Sequence, residues 1–239
     1  MGPLKKIAAL ATEAVFPSLC VACRAATFGR GPDWWLCLKC RNGLVSNWAT
    51  VCPKCGKDAG FGGGKHRAHE PGTLENVSFL FRYEHPAVRA LIHSLKYRYV
   101  TGIASTFAGF IQKERLNFLR APVDVVVPLP IHRRKLRERG FNQSELVARA
   151  VSEAAGRPVL TDALAKVRPS RAQMKLKTPR ERERNIRGVF RVASPEAVRD
   201  KNILLVDDVI TTGATLEEAA RVLRAAGAKR VFGFVLARD

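Results

Sequence analysis

Cysteine is absent from residue 56 onward, and acidic residues are scarce along the whole chain. The 239 residues hold 21 Asp and Glu against 41 Lys and Arg, a formal net charge of +20 with a pI near 10.4. Such an imbalance destabilises a compact state by self-repulsion and points to an anionic partner. Nucleic acid, a phosphorylated small molecule and an acidic membrane surface all qualify. No run of about 18 apolar residues occurs, which excludes a membrane-spanning helix. A signal-peptide cleavage pattern is missing too: Lys5 and Lys6 precede Ile7 to Leu10, but Glu13 interrupts the apolar stretch. Residues 1–15 read as a short amphipathic helix ending before Pro17, in a cytoplasmic protein. A P-loop is excluded as well. Around Gly60 to Lys65, Ala59 stands where the first glycine belongs and His66 where Ser or Thr would hold magnesium. That stretch reads as a flexible linker.

What is present begins with apolar residues, 46% of the chain, enough for one domain with a core plus a small module. All six cysteines fall in Cys-x2-Cys pairs: Cys20 with Cys23, Cys37 with Cys40, Cys52 with Cys55. A Cys-x2-Cys turn presents two thiolates to one tetrahedral ion, and two turns complete a zinc site. In a cytosolic chain the pattern favours metal over disulfide. The first two pairs make a zinc ribbon. The third either finds partners in His66 and His69, giving a Cys2His2 site, or binds no metal. One or two structural Zn2+ ions are therefore expected. Trp34, Trp35 and Trp48 either fill this small module or stack on bases, and core filling is the favoured reading.

From about Leu74 strand and helix alternate. Val77 to Tyr83, Val123 to Val127, Ile203 to Val206 and Val231 to Leu236 read as strands. His85 to Lys96, Ile103 to Leu119 and the stretch after Asn142 read as helices, with Asn142 as N-cap and Glu145 completing a capping box. This is an α/β domain, a parallel sheet with helices on both faces, whose ligands belong at the carboxyl ends of the strands. The division expected is 1–73 for the N-terminal helix and double zinc ribbon, and 74–239 for the α/β domain.

The most informative stretch runs from Ile203 to Leu216. An apolar strand ends in the pair Asp207 and Asp208. The loop Thr211, Thr212, Gly213, Ala214, Thr215 leads into a helix. Backbone N–H groups at a helix start bind phosphate, and Gly213 lets the ligand approach closely. The carboxylates repel that phosphate but accept hydrogen bonds from sugar hydroxyls. Positive charge gathers nearby. Residues 132–139 hold five Arg and Lys against one Glu, and residues 168–191 nine against two.

The segment resembles the phosphoribosyl-pyrophosphate (PRPP) motif of type I phosphoribosyltransferases. The resemblance implies that Asp207 and Asp208 hold the ribose and that Thr211 to Thr215 hold the 5′-phosphate. It implies too that the loop Leu129 to Arg134 contacts pyrophosphate, with Arg133 and Arg134 as clamp. It makes the stretch from Arg168 through Arg187 a mobile lid, or else a nucleic-acid groove. Asp207, Asp208, Arg133 and Arg134 are the catalytic candidates, with Mg2+ accompanying PRPP. Leu95-Lys96-Tyr97, Pro128-x-Pro130, Arg139 to Gln143, Gln173, Arg184-Asn185 and the acidic segment together resemble the ComF family from about Phe16 onward. This family joins a double zinc ribbon to a phosphoribosyltransferase-like domain and includes proteins of DNA uptake in natural competence and GntX-like proteins. The resemblance implies a role in DNA uptake or processing, with PRPP or a related phosphorylated sugar, single-stranded DNA and competence machinery as partners. If the site turns over, it is a phosphoribosyltransferase whose acceptor the sequence does not name. The alternative is a single-stranded DNA-binding module, or a PRPP-responsive regulator without chemistry.

Overall fold

The computed structural model describes residues 18–27, 35–60, 73–97, 101–119, 122–170 and 178–239. The expected helix over residues 1–15, Trp34, the linker around Gly62, His66, His69 and the middle of the basic stretch at 171–177 lie outside the described residues.

The frame is a five-stranded sheet in the order β1 (Ala49–Val51), β2 (Val77–Arg82), β7 (Arg230–Arg238), β6 (Asn202–Ile210), β3 (Val125–Pro128). The last four are parallel; β1 joins the edge antiparallel to β2. Beyond β3, Val126 makes a parallel bridge to Val159. Both faces are covered, which explains the nearly unbroken apolar run in β6. Leu204 and Val206 turn towards α2 (Pro86–Tyr97), α3 (Ile103–Lys113) and α6 (Gln143–Ala155). Ile203 and Leu205 turn the other way, to Leu216, Ala220 and Leu223 of α9 (Ala214–Ala225). A separate hairpin of β4 (Leu164–Lys166) and β5 (Phe190–Val192) brackets the basic stretch and α7 (Pro179–Ile186).

Three features depart from the sequence expectation. The helix expected over 103–119 is two, α3 and α4 (Arg115–Leu119). The break falls at Glu114, whose N–H bonds Ile111 and whose carboxylate accepts from Ser46 Oγ at 2.9 Å and Asn117 Nδ2 at 2.7 Å. Side-chain bonds there replace continuation of the helix. Strand β6 does not stop at Val206 but runs to Ile210, because β7 pairs with it as far as Ile210↔Arg238. The acidic pair is thus held inside a strand and not in a turn. Finally, the cysteine-rich segment is stitched into the sheet. β1 lies within it, Thr50 Oγ1 and Ser78 Oγ share a 2.7 Å hydrogen bond, and Trp48 packs edge-on against Phe118 and stacked on Phe234. Core filling is the role Trp48 takes. Trp35 is half-buried beside the same core.

Candidate functional site

At the carboxyl ends of β3 and β6 the chain encloses an open cavity of about 280 Å³. Its floor is the stretch expected from sequence: Asp207, Asp208, Thr211, Thr212, Gly213, Ala214 and Thr215 all line it. Gly213 is the N-cap of α9 with φ 77°, a left-handed conformation that glycine adopts without a Cβ penalty. Gly213 to Leu216, which open α9, line the cavity, and the first N–H groups of a helix have no partner within it. Thr212 Oγ1 is buried and has no hydrogen-bond partner among the described residues, so it is a donor waiting for an acceptor.

The two carboxylates are held differently. Asp208 is buried and takes an ion pair from Lys96 Nζ at 2.8 Å. Asp207 accepts from Ser144 Oγ at 2.8 Å and from the Asp208 N–H at 2.9 Å. Burial, and then the Asp208 charge, push the Asp207 pKa up to about 6, against the pull of Lys96 and these bonds. Lys96 is desolvated too, yet the charge and hydrogen bond of Asp208 prevail and hold its pKa above the ordinary lysine value.

Asn142 organises the neighbouring wall. Its side chain caps α6 by accepting from the Ser144 N–H, and its Nδ2 donates to the Leu129 carbonyl at 3.1 Å. Leu129 N–H in turn bonds Val206 at 2.8 Å. One residue thereby fixes both the loop after β3 and the helix start that delivers Ser144. The expected capping-box partner, Glu145, pairs instead with Arg149 at 2.7 Å.

Arg133 and Arg134, expected as a clamp, do not line the first cavity. They open α5 (Arg133–Arg139), capped by His132, and both are exposed. Arg134 pairs with Glu138 at 2.9 Å and lines a second, adjoining cavity. Helical spacing separates them: Lys135 and Arg139, four residues apart on one face of α5, line the first cavity. Lys166, at the end of β4, is the remaining cation there. Lys96, Ser144, Lys135, Arg139 and Lys166 received no role from the sequence. Lys96 had a signal: it follows Val88 and Ile92 at four-residue steps, a cation on a buried stripe. Phe141 is partly buried against the core.

The Sγ atoms of Cys20, Cys23, Cys37 and Cys40 lie within 4.8 Å of one another, and none is in a disulfide. Cys23 and Cys37 Sγ are 3.6 Å apart. Ideal tetrahedral ligation with Zn–S bonds of about 2.3 Å separates sulfurs by about 3.8 Å, so the cluster fits a metal ion. Burial works against ionising Cys20, but N–H donors from Cys23, Cys37 and Ala22 lower its thiol to about 7. Burial and the neighbouring thiols push Cys40 up. Cys52 and Cys55 form a separate turn closed by Gly56 N–H to the Cys52 carbonyl at 2.9 Å. Their expected partners His66 and His69 lie outside the described residues. The turn packs beside Gly213: a Cβ there would stand 3.7 Å from the Pro53 carbonyl oxygen, and Arg238 donates to the Gly56 carbonyl at 3.3 Å.

A family model described as the phosphoribosyl transferase domain matches residues 142–239, which include β6, the acidic pair and the loop into α9. The DNA utilization protein YhgH of Salmonella typhi is 31% identical over 233 residues, covering 93% of this chain and 97% of that protein. Competence protein ComFC of Bacillus subtilis (strain 168) is 28% identical over 224 residues, 90% of this chain and 88% of that one. Competence protein F of Haemophilus influenzae is 27% identical over 212 residues, with 85% and 90% covered. Sheet, cavity and match together give the α/β domain the type I phosphoribosyltransferase fold.

Proposed function

The chain belongs to the ComF family, that of YhgH and the competence proteins F and ComFC, and from this premise we propose that its cavity binds PRPP in the service of DNA uptake or DNA use. The observation that carries the reading is the pairing of two unlike chemistries on one strand end. Asp207 and Asp208 offer carboxylate oxygens, and a few residues on, Thr212, Gly213 and the start of α9 offer donors. A molecule with neutral vicinal hydroxyls next to a phosphate satisfies both, and a phosphoribosyl group has that make-up.

On this reading the 5′-phosphate sits on the loop Thr211 to Thr215, and the ribose hydroxyls donate to Asp207 and Asp208. Lys96 keeps Asp208 compensated when no ligand is bound. The diphosphate takes Arg139, which lines the first cavity alone, in the role expected of Arg133 and Arg134. Mg2+ arriving with PRPP supplies further neutralisation of the diphosphate. Turnover would form a bond from a nucleophile to the sugar carbon as the bond to the departing pyrophosphate breaks, and positively charged walls favour that departure. The four-cysteine cluster is read as a structural zinc site that secures the segment carrying Trp48 and β1.

Thermal shift with Mg2+ and a ligand panel tests the site. PRPP should raise the unfolding midpoint, ribose 5-phosphate should do so less, and glucose 6-phosphate at the same concentration not at all. A flat response to PRPP would remove the reading.

The charge of +20 favours a second, compatible role in binding single-stranded DNA. Its signature is affinity that falls steeply as salt rises. Affinity insensitive to salt would argue against backbone contacts by the Arg and Lys residues.

A further inference from the structure

The partition between the two adjoining cavities carries two cations. Lys135 on α5 and Lys166 at the end of β4 each line both cavities. Neither has an ion pair among the described residues. The one carboxylate lining the second cavity, Glu138, is engaged with Arg134. Burial, reinforced by the like charge of Lys135, holds the Lys166 pKa down to about 8, and Asp207 offsets this only in part.

The fold keeps these charges together. Lys166 is fixed by pairing with Phe190 across the hairpin, and its Nζ stands 5.4 Å from the centre of the Phe190 ring. Lys135 is fixed by α5, whose start is capped by His132. The half-buried ammonium of Lys166 is repelled by the charge of exposed Lys135 when nothing lies between them. An anion there turns the repulsion into two attractions. The first cavity already has its phosphate cradle at Thr211 to Thr215, and Arg139 and Lys96 on its side of the partition. The second cavity, about 300 Å³, shares Ile131 and Ser170 with the first and adds apolar Pro169 and polar His132 beside the two lysines. Cations beside a mixed apolar and polar wall suit a phosphate carrying an organic ring.

We propose that the second cavity is a distinct nucleotide subsite, in which Lys135 and Lys166 hold the phosphate of a nucleotide unit next to the phosphoribosyl site. The place of that unit beside a bound sugar rests on the phosphoribosyl reading; the existence of the anion subsite does not. The same phosphate chemistry comes from a free nucleotide or from the end of a DNA strand.

The test is calorimetric titration of the full chain with thymidine 5′-monophosphate, alone and with saturating PRPP and Mg2+. The subsite predicts binding in both conditions. Lys166→Met should weaken it about tenfold, the worth of one charge-assisted contact. Glu138→Gln should tighten it several-fold, since it releases Arg134 on the surface without touching the core. One-for-one displacement of the nucleotide by PRPP would overturn the proposal, because the nucleotide would then occupy the first cavity. So would unchanged nucleotide affinity in both variants. Nucleotide binding that responds to Lys166→Met while PRPP gives no heat supports the subsite and removes only the phosphoribosyl reading. A 5′-phosphorylated ten-residue oligothymidylate that binds more tightly than the mononucleotide assigns the subsite to a strand end; equal affinity assigns it to the free nucleotide.

Discussion

Lys96 and Asp208 form an ion pair of 2.8 Å between the end of α2 and the interior of β6, with the Asp208 side chain 7% and the Lys96 side chain 25% exposed. The pair joins an amphipathic helix to the strand that carries the candidate site. Removing one partner strands a charge in poor solvent, a more costly event than removing both. Lys96→Met should therefore lower stability by about 3 kcal/mol, less if water reaches Asp208. Adding Asp208→Asn should restore much of the loss. Urea unfolding of the two single variants and the double variant gives the coupling directly. Additive losses would mean that the ion pair contributes little.

Asp207 makes stability depend on pH. Its folded pKa is raised from 3.8 to about 6, so the folded state holds this proton more tightly than the unfolded chain does. The stabilisation is complete below about pH 4 and is lost as the pH rises through about 6. Asp207→Asn should therefore gain about 3 kcal/mol relative to wild type at pH 8, and little at pH 4. Unfolding midpoints of both proteins across that range check the sign. A gain that is the same at both ends would locate its origin elsewhere.

Gly213 has φ 77°, while the nearest atoms to an added Cβ, Ile210 Cδ1 at 3.5 Å and the Pro53 carbonyl oxygen at 3.7 Å, are in ordinary contact. Gly213→Ala thus strains the backbone without a clash and should cost about 1 kcal/mol. Its larger effect should fall on phosphate affinity, since the turn opens α9 at the cavity. Equal losses of stability and no loss of PRPP-dependent stabilisation would separate the turn from ligand binding.

The four-cysteine cluster predicts one bound metal ion in the protein as isolated. Cys20→Ser should remove about one equivalent of zinc by elemental analysis, and a chelator should lower the unfolding midpoint of the wild type. Zinc-free protein with an unchanged midpoint would contradict a structural metal at Cys20, Cys23, Cys37 and Cys40.

How far the sequence carries this account varies with the range of the signal. Local patterns translate well. The Cys-x2-Cys pairs bring four thiols together, Asn142 caps its helix, and the acidic pair and the Thr/Gly loop share one cavity. Each depends on residues within a turn or two. Length of strand β6 was not legible, because it is set by β7, a partner that pairs as far as Arg238. The break at Glu114 depends on Ser46, 68 residues away in sequence. The phosphate-loop contact of Pro53 likewise joins segments far apart in the chain. Arg133 and Arg134 show a different limit: composition located the charge, but helical phase chose Lys135 and Arg139 for the first cavity. In the sequence Ser144 is only part of a helix start, and its bond to Asp207 exists because Asn142 ties that start to the loop after β3.

The central claim is a live phosphoribosyl site built on Asp207, and calorimetry with PRPP and Mg2+ on wild type beside Asp207→Asn addresses it most directly. This variant leaves the Lys96–Asp208 pair in place and is expected to be at least as stable as wild type, so lost affinity does not report lost folding. The account predicts one PRPP bound per wild-type chain and affinity reduced about tenfold or more in the variant, the worth of a charged hydrogen bond to a ribose hydroxyl. Equal affinity in the two proteins, or no binding to either, would contradict it.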